Sequence, residues 1–163
     1  MLELRPASPS IVRCLARPEE LDRLATPVGA QVCRVAPDEL LLIGPPGSAG
    51  ELLEACAPLA SGLVLGDPDA FAVWTLAGPQ AEEAFARLSA IELPGGRAFL
   101  QGSVAGVPAK VLVEAGRIDV FVSSALGHHL RERVLAACAD LLEANSPAGG
   151  ADEPAEPKGG RDR

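Results

Sequence analysis

Residues 67–93 constrain the fold more than any other part of this sequence, because a strand, a tight break and a helix follow one another there. The run from Ala70 to Leu76 combines β-branched and aromatic residues with little charge, which predicts a largely buried strand. Gly78-Pro79 ends that strand, and proline suits the first turn of a helix because it has no N–H group to leave unpaired. From Gln80 onward, apolar residues recur at the spacing of an amphipathic helix. The predicted buried face comprises Ala81, Ala84, Phe85 and Leu88. The segment therefore predicts a strand followed by a helix, and it contains no pattern of catalytic or binding residues.

Short apolar runs between turn signals fill most of the remaining chain. Strands are predicted over residues 11–16, 31–35, 39–43, 62–65, 99–104, 107–114 and 117–122, and helices over 18–24, 49–56 and 125–143. The first ten residues show no clear period. Because strands and helices are mixed rather than strictly alternating, the sequence predicts an α+β fold with mainly antiparallel sheets and packed helices.

The length of the chain allows one domain over residues 1–144, either undivided or formed of two small lobes. A domain of this size buries roughly 70% of the surface that its unfolded chain exposes, which suffices for a hydrophobic core. Aromatic residues make up only 3% of the chain, so the core is predicted to consist of small aliphatic side chains. Residues 145–163 combine proline, glycine and mixed charge without an apolar anchor, and we expect a disordered tail.

The net charge of −8 limits the surfaces that this protein can bind. Nonspecific binding to nucleic acid needs a basic surface that displaces phosphate counterions. Docking on an anionic membrane also needs a positively charged protein surface. No apolar run approaches the ~20 residues of a transmembrane helix, and the first residues lack the apolar core of a signal peptide. We therefore expect a soluble cytoplasmic protein that binds neither nucleic acid nor membrane.

Four cysteines are scattered along the chain, and their spacing does not suit a metal site. Zinc sites of the finger or ribbon type need close ligand pairs, but the sequence has no CxxC pair and no histidine at ligand spacing. Disulfides are not expected in a reducing cytoplasm. The sequence therefore predicts no metal site and four thiols in the core. These are Cys14, Cys33, Cys56 and Cys138.

The histidines and the serines near them form no recognisable catalytic constellation. His128 and His129 are adjacent in the last predicted helix, where side chains point about 100° apart and cannot form the i, i+4 face of a two-histidine metal site. Ser123 and Ser124 are predicted to cap this helix. Nucleophilic Ser–His chemistry would also need an orienting acid, and none can be placed from the sequence. We therefore predict no catalytic residue.

Four further positions carry a structural and a functional interpretation. The run GPPGSAG over residues 44–50 lacks the Gly-Lys-Ser/Thr of a phosphate loop, and Ser48 is predicted to cap the following helix instead. Trp74 is either a core residue, which we favour, or an interface anchor. Asp119 lies within a strand and is either buried or facing water. Lys110 is predicted on the exposed face of its strand.

Three segments resemble known proteins. FAVWTLAGPQAEEAFARL (residues 71–88) resembles the strand–Gly-Pro–helix of the aminomethyltransferase (glycine-cleavage T-protein) family, in which an Asp-containing turn such as Leu65-Gly66-Asp67 precedes it. VAGVPAKVLVEAGRIDVFVSSALGHHLRERVLAAC (residues 104–138) is similar to a region of the gamma subunit of heterotetrameric sarcosine oxidase. Arg34 to Pro45 nearly reproduces a further segment of that subunit. The resemblance extends from Pro18 to Cys138 and implies a T-protein-like lobe.

The sequence departs from the catalytic members of this family. True aminomethyltransferases carry a paired aspartate in a strand after the helix and use it with folate, whereas the matching residues here are Pro108-Ala109-Lys110-Val111. The iron–sulfur-maturation relatives carry a Lys-Gly-Cys signature. None of the four cysteines of this chain lies in such a signature. The chain also has about half the length of the folate-binding enzymes. The resemblance thus implies the fold and membership of a multisubunit assembly. It does not imply that this chain carries the catalytic chemistry of the enzymes.

What the resemblance implies is a non-catalytic gamma-type subunit of a flavin-dependent sarcosine oxidase or related N-methyl amine oxidase. The expected partners are alpha, beta and delta subunits, which would hold FAD, FMN, NAD and tetrahydrofolate. This chain is then expected to bind no cofactor itself and to stabilise the assembly through an aliphatic face.

Two alternatives remain open at this point. The first is a standalone folate-binding or one-carbon-transfer protein, which would need a carboxylate for the pterin ring and basic groups for the glutamate tail. Its candidate residues are Asp67, Asp119, Arg117 and Lys110. The second is a structural protein that binds no ligand and assembles with an unrelated partner.

Overall fold

The computed structural model describes residues 1–60, 62–66 and 70–143, and antiparallel strands dominate them. The strands are β1 (Glu3–Ala7), β2 (Ser10–Leu15), β3 (Gln31–Ala36), β4 (Glu39–Gly44), β5 (Leu63–Gly66), β6 (Phe71–Ala77), β7 (Ala98–Val104), β8 (Val107–Glu114) and β9 (Arg117–Ser123). The helices are α1 (Pro18–Leu21), α2 (Ala49–Ala55), α3 (Ala81–Leu88), α4 (Gly127–Ala137) and α5 (Ala139–Glu143). The predicted strand, Gly-Pro break and helix therefore occur as β6 and α3.

The strands form two sheets. The five-stranded sheet has the order β1-β6-β9-β8-β7 and the four-stranded sheet has the order β3-β4-β2-β5. Each neighbouring pair is antiparallel. This arrangement confirms the predicted α+β fold with antiparallel sheets and packed helices.

The two sheets pack face to face, and helices cover the outer face of each. Side chains alternate across a strand, so every strand contributes to two layers. In β4, Leu41 and Ile43 join the core between the sheets, while Leu40 and Leu42 face α1 and α2. The buried residues of the core between the sheets are Ile11, Cys33, Leu41, Ile43, Val73, Leu112 and Phe121.

The largest core lies between the five-stranded sheet and the helices α3 and α4. Phe85 of α3 and Leu130 of α4 are both 0% exposed there. The predicted buried face of α3 is confirmed, with Ala81, Ala84 and Phe85 buried and Leu88 half-buried. Small aliphatic side chains supply most of the remaining volume.

Strand β1 was not predicted from the sequence. It forms the edge of the five-stranded sheet and pairs with β6 from Glu3↔Ala77 to Ala7↔Val73. An edge strand needs no continuous apolar run, and Pro6 is tolerated there because an edge can spare an N–H group. Its position is fixed by pairing with β6 rather than by a local pattern.

The predicted helix over residues 125–143 is divided in the structure. A 3-10 turn over Ser124–Leu126 precedes α4, and Cys138 separates α4 from α5. Gly127 begins α4 where the helix approaches β6, because a Cβ atom at this position would lie 2.5 Å from the Cβ of Ala72. The predicted capping by Ser123 and Ser124 is wrong, since neither side chain makes a cap hydrogen bond.

Two other local predictions differ from the structure. Ser48 precedes α2, but its hydroxyl donates to the carbonyl oxygen of Pro45 at 2.8 Å and does not cap the helix. Helix α1 ends at Leu21 rather than at residue 24.

The turn at Asp67-Pro68 and the tail over 145–163 lie outside the described residues. Among the described helices, none combines the length and the apolar character needed to cross a bilayer.

Truncation of Phe85 tests the packing of α3. We expect Phe85→Ala to lower the free energy of unfolding by about 3–5 kcal/mol, because the lost aromatic ring leaves a cavity between α3 and the five-stranded sheet. Urea denaturation followed by circular dichroism measures this change. Val28→Ala is the control, since Val28 is 99% exposed and its truncation should change the free energy by less than about 0.5 kcal/mol. Equal stability of the two variants would contradict this account of the core.

Candidate functional site

The register of the five-stranded sheet aligns polar side chains on the face that looks toward the other sheet. Arg5 of β1 lies opposite Thr75 of β6, and Thr75 lies opposite Asp119 of β9. In the next row, Arg117 of β9 lies opposite Glu114 of β8. Residues two apart on a strand share a face, so both rows project toward the four-stranded sheet.

Asp119 is the buried centre of this group. It is 5% exposed, and Thr75 beside it is 0% exposed. The Thr75 hydroxyl donates to Asp119 Oδ1 at 2.5 Å. Arg117 binds both carboxylate oxygens, with Nε 3.0 Å from Oδ1 and Nη2 2.8 Å from Oδ2. The hydrogen bond to Asp119 raises the pKa of Arg117 above its ordinary value. A buried carboxylate is costly unless it is paired in this way.

Glu114 connects the two sheets. Its Oε1 accepts a hydrogen bond from Nε2 of Gln31, on β3 of the four-stranded sheet, at 2.8 Å. Arg97, which precedes β7, places Nη2 3.1 Å from the same oxygen. This hydrogen bond links the two sheets at this end of the molecule.

These residues line a cleft of about 560 Å³ between the sheets. We call it the polar cleft and define its polar walls as Arg5, Gln31, Thr75, Arg97, Glu114, Arg117 and Asp119. Its apolar floor is the edge of the inter-sheet core, formed by Ile43, Leu112 and Phe121. Such a combination of convergent polar groups and an apolar floor is typical of a ligand site.

The structure brings together two of the four residues considered for folate binding. Asp119 and Arg117 form the ion pair of the polar cleft, so Asp119 is buried rather than facing water. Lys110 lies apart, opposite Phe121 in the register, with Nζ 5.5 Å from the ring centroid of Phe71. It lines a separate depression of about 620 Å³ and is only partly exposed. Asp67 lies outside the described residues.

The other sequence candidates lie away from the polar cleft. His128 and His129 are exposed on α4, which packs on the opposite face of the five-stranded sheet. Trp74 packs half-buried against that core and donates from Nε1 to the carbonyl oxygen of Gly127 at 3.1 Å. A larger depression of about 720 Å³ borders Trp74 and Ser124, and the described residues that line it include no ionisable side chain.

All four cysteines are buried free thiols, as predicted. Burial raises the pKa of Cys33 to about 11. It also raises the pKa of Cys14, whose Sγ lies 3.0 Å from Sγ of Cys56 in the core beneath α2. Within the part of the chain that the structure describes, no group of three or more His, Cys, Asp or Glu side chains could hold a metal ion.

Four residues of the polar cleft escaped the sequence analysis. Arg5, Gln31, Arg97 and Glu114 come from separate segments, and each stands in a stretch that is unremarkable by itself. The only available signal was strand pairing, because a correct register would have placed Glu114 opposite Arg117 across the short turn between β8 and β9.

Comparisons with known proteins give the fold but no sequence family. No protein-family model matches the sequence, and no curated protein gives a significant match. A chain of heterotetrameric sarcosine oxidase from Corynebacterium sp. U-96, in complex with pyrrole 2-carboxylate, is similar in structure with a TM-score of 0.71 and 18% identity. That match covers 91% of this chain and 88% of the other, so the two are close in length.

A second solved structure agrees. Glycine cleavage system aminomethyltransferase T from Bartonella henselae is similar with a TM-score of 0.60 and 17% identity, over 82% of this chain and 45% of the enzyme. This chain therefore spans less than half of that enzyme. Identities this low show the fold alone, and the chain has the T-protein-like α+β fold that the sequence resemblance implied.

The ion pair at Asp119 can be tested by its effect on stability. We expect Asp119→Ala to lower the free energy of unfolding by about 1–3 kcal/mol, because it leaves the buried Thr75 hydroxyl without its acceptor. A double-mutant cycle with Arg117→Ala, measured in urea, should give a coupling of at least about 0.5 kcal/mol. Arg131→Ala breaks an exposed ion pair with Glu132 and should change the free energy by less than about 1 kcal/mol. Additive effects at Asp119 and Arg117 would contradict the pairing.

The burial of the thiols predicts their reactivity. At pH 8 a thiol with a pKa of about 11, such as that of Cys33, is about 0.1% thiolate, and the thiolate is the nucleophile. We therefore expect the native protein to react slowly with Ellman's reagent and the protein unfolded in guanidinium chloride to release four equivalents at once. Rapid reaction of the native protein would show that at least one cysteine is accessible.

Proposed function

We propose that this chain is a non-catalytic, gamma-type subunit of a flavin-dependent sarcosine oxidase or a related N-methyl amine oxidase. The observation that carries the proposal is the match to a chain of similar length in a heterotetrameric sarcosine oxidase, over nine-tenths of both. The gamma-like segments at residues 34–45 and 104–138 support the same assignment from the sequence. The role of this chain is to stabilise the assembly.

The structure of strand β8 supports a non-catalytic role. The residues at the position of the paired aspartates of aminomethyltransferases are Pro108-Ala109-Lys110-Val111. Lys110 contacts the ring of Phe71, and Val111 is buried in the core beneath the helices. Asp119, which lies on the same sheet face as Lys110, is bound by Arg117 and Thr75. A base already held by two donors is poorly placed to accept a proton from a substrate.

An exposed apolar strand gives the expected partner a place to bind. Within the described residues, β5 pairs only with β2, so its other edge has free backbone groups. Leu63 and Leu65 of this strand are 57% and 40% exposed. They share a sheet face with Arg13, which is also exposed, so the five-stranded sheet does not cover this part. We call Leu63, Leu65 and the free edge of β5 the β5 surface.

Exposed leucines on an unpaired edge strand favour association with another chain. In the proposed complex a flavoprotein subunit covers the β5 surface. The alpha, beta and delta subunits are proposed to hold FAD, FMN, NAD and tetrahydrofolate, while this chain holds none of them.

Folate binding by this chain alone has less support from the structure. The pterin ring requires a carboxylate that can accept its hydrogen bonds, and Asp119 is engaged by Arg117 and Thr75. Lys110 lies in a different depression from Arg117, so the two do not form one basic site. Tetrahydrofolate titration tests this alternative, and saturable binding by the isolated chain would establish it in place of the subunit role.

The subunit role is tested by co-expression with the neighbouring candidate alpha and beta flavoprotein genes. Size-exclusion chromatography with absorbance at the flavin wavelength then shows whether this chain elutes with a yellow complex, as we expect. Elution as a colourless separate species would refute the proposal.

Charge on the β5 surface should prevent assembly. We expect the double variant Leu63→Asp and Leu65→Asp to lose co-elution with the flavoprotein subunits, because burying two carboxylates without partners is unfavourable. Size-exclusion chromatography of the co-expressed proteins measures the loss. The matched control is Val28→Asp, which adds charge at another exposed apolar residue and should leave the complex intact. If both variants co-elute normally, the partner binds elsewhere.

A further inference from the structure

We propose that Cys14 and Cys56 form a site of reversible thiol oxidation, at which a hydroperoxide converts the two thiols into a disulfide. The assignment concerns the chemistry of this chain alone and goes beyond its proposed role in an assembly. It rests on the distance between the two sulfur atoms, on their shared surroundings and on the short helix beside one of them.

The two sulfur atoms lie in direct contact. Sγ of Cys14 on β2 is 3.0 Å from Sγ of Cys56, which follows the last residue of α2. Non-bonded carbon atoms pack at ~3.5–4.0 Å and sulfur is the larger atom, so no other side chain separates the pair. A disulfide has an S–S bond of ~2.05 Å, which the pair reaches when each sulfur moves by about 0.5 Å. Because the two cysteines are 42 residues apart in sequence, only the tertiary fold brings them together.

The other two cysteines have no such neighbour. Cys33 lies in the core between the sheets. Cys138 lies in the core beneath α3 and α4, where its Sγ donates to the carbonyl oxygen of Ala84 at 3.8 Å. Among the described residues, neither thiol contacts a second sulfur atom. Proximity therefore selects a single pair from the four cysteines.

The closed structure protects both thiols of the pair. Cys14 and Cys56 are 0% and 2% exposed, in a core that they share with Leu40, Leu42 and Leu52. Burial in these apolar surroundings raises the pKa of Cys56, and only the thiolate is the nucleophile. Oxidation therefore requires Cys56 to move toward solvent.

Helix α2 is the element whose opening exposes Cys56. It has seven residues, whereas an isolated helix needs ~12–15 to be stable in water. Its first turn has no side-chain cap, and Leu52 is its one buried residue. Short elements with few buried contacts open locally at a small fraction of the global free energy of unfolding. Cys14 lies on β2, which is paired on both sides with β4 and β5. Cys56 is therefore oxidised first, and Cys14 is the thiol that resolves it.

The oxidation has two balanced steps. The Cys56 thiolate attacks the terminal oxygen of the hydroperoxide and the O–O bond breaks. A sulfenic acid forms, and the leaving alkoxide takes up the thiol proton to give an alcohol, or water where the oxidant is hydrogen peroxide. When α2 closes, Sγ of Cys14 attacks the sulfenic sulfur, the S–O bond breaks, and hydroxide leaves with the Cys14 proton as water. Two electrons have then passed from the thiols to the peroxide. A dithiol reductant returns both thiols by thiol–disulfide exchange.

The test treats the reduced full chain with hydrogen peroxide under native conditions and then alkylates the remaining thiols in guanidinium chloride. We expect alkylation of two cysteines instead of four, because the disulfide withholds Cys14 and Cys56. Arginines between the cysteines allow trypsin to place each one in a different peptide, so mass spectrometry identifies the bond as a cross-linked pair of peptides. Dithiothreitol should restore all four alkylation sites.

Two matched variants separate this pair from general oxidation. Cys56→Ala should abolish the cross-link, whereas Cys33→Ala changes an equally buried thiol and should form it as the parent does. The oxidised parent should melt at least about 4 °C above the reduced parent, since the bond restrains the unfolded chain. The same treatment should not raise the melting temperature of Cys56→Ala.

The measurement on the parent needs neither variant. The proposal is overturned if the treated parent is alkylated at all four cysteines, if the bond joins a different pair, or if Cys56 reaches sulfinic acid without a cross-link. A bond that forms only when the oxidation is carried out in guanidinium chloride would also overturn it. So would a lower melting temperature of the oxidised protein, because the native geometry would then not suit the bond.

Discussion

The pairing of β6 with β9 is the contact on which the rest of the structure depends. It runs over seven registered residue pairs, from Phe71↔Ser123 to Ala77↔Arg117, at the centre of the five-stranded sheet. One face of the pair receives α3 and α4, and the other receives the four-stranded sheet. β9 is buried from Ile118 to Val122 because both of its faces are covered. A shift of one residue in this register would exchange the two faces and bring Asp119 into the helical core. The hydrogen bond from Thr75 of β6 to Asp119 of β9 therefore also serves the register, because it crosses the strand pair and joins two residues that lie directly opposite each other.

The same register creates the polar cleft. Buried ionic groups contribute little net stability compared with well-packed apolar residues. A chain that needed only a core could fill the positions of Thr75 and Asp119 with aliphatic side chains, as it does at Leu112 in the same row. Here the carboxylate instead orients a guanidinium toward the cleft, and Gln31 and Arg97 meet at Glu114 on its other side. The buried charge of Asp119 is thereby paired, and the Arg117 guanidinium is held at the wall of the cleft.

Local patterns predicted the local structure well and the site poorly. The strand, Gly-Pro break and helix around Gly78 were predicted because each depends on residues adjacent in sequence. β1 was missed because its only stabilising pairing is with β6, some seventy residues away, and because Pro6 and Arg5 interrupt an apolar pattern. The prediction that Ser123 and Ser124 cap the last helix was wrong because the close approach of Gly127 to Ala72 sets where α4 begins. This contact acts whatever the capping preference of the preceding serines. Arg5, Arg97 and Gln31 could not be recognised as functional candidates, since only the tertiary fold assembles them. The family resemblance, by contrast, gave the fold because it was based on sequence segments that each span several consecutive elements, at residues 34–45, 71–88 and 104–138.

The polar cleft and the β5 surface lie toward opposite ends of β2. Ser10, next to the Ser8-Pro9 rim of the polar cleft, pairs with Gly44 of β4. Leu15 at the other end pairs with Leu63 of the β5 surface. At ~3.3 Å per residue these ends are about 16 Å apart. In the proposed complex, a subunit bound along β5 therefore leaves the polar cleft uncovered. The two surfaces also belong to different parts of the fold, because the polar walls of the cleft lie mainly on the five-stranded sheet, whereas β5 belongs to the four-stranded sheet.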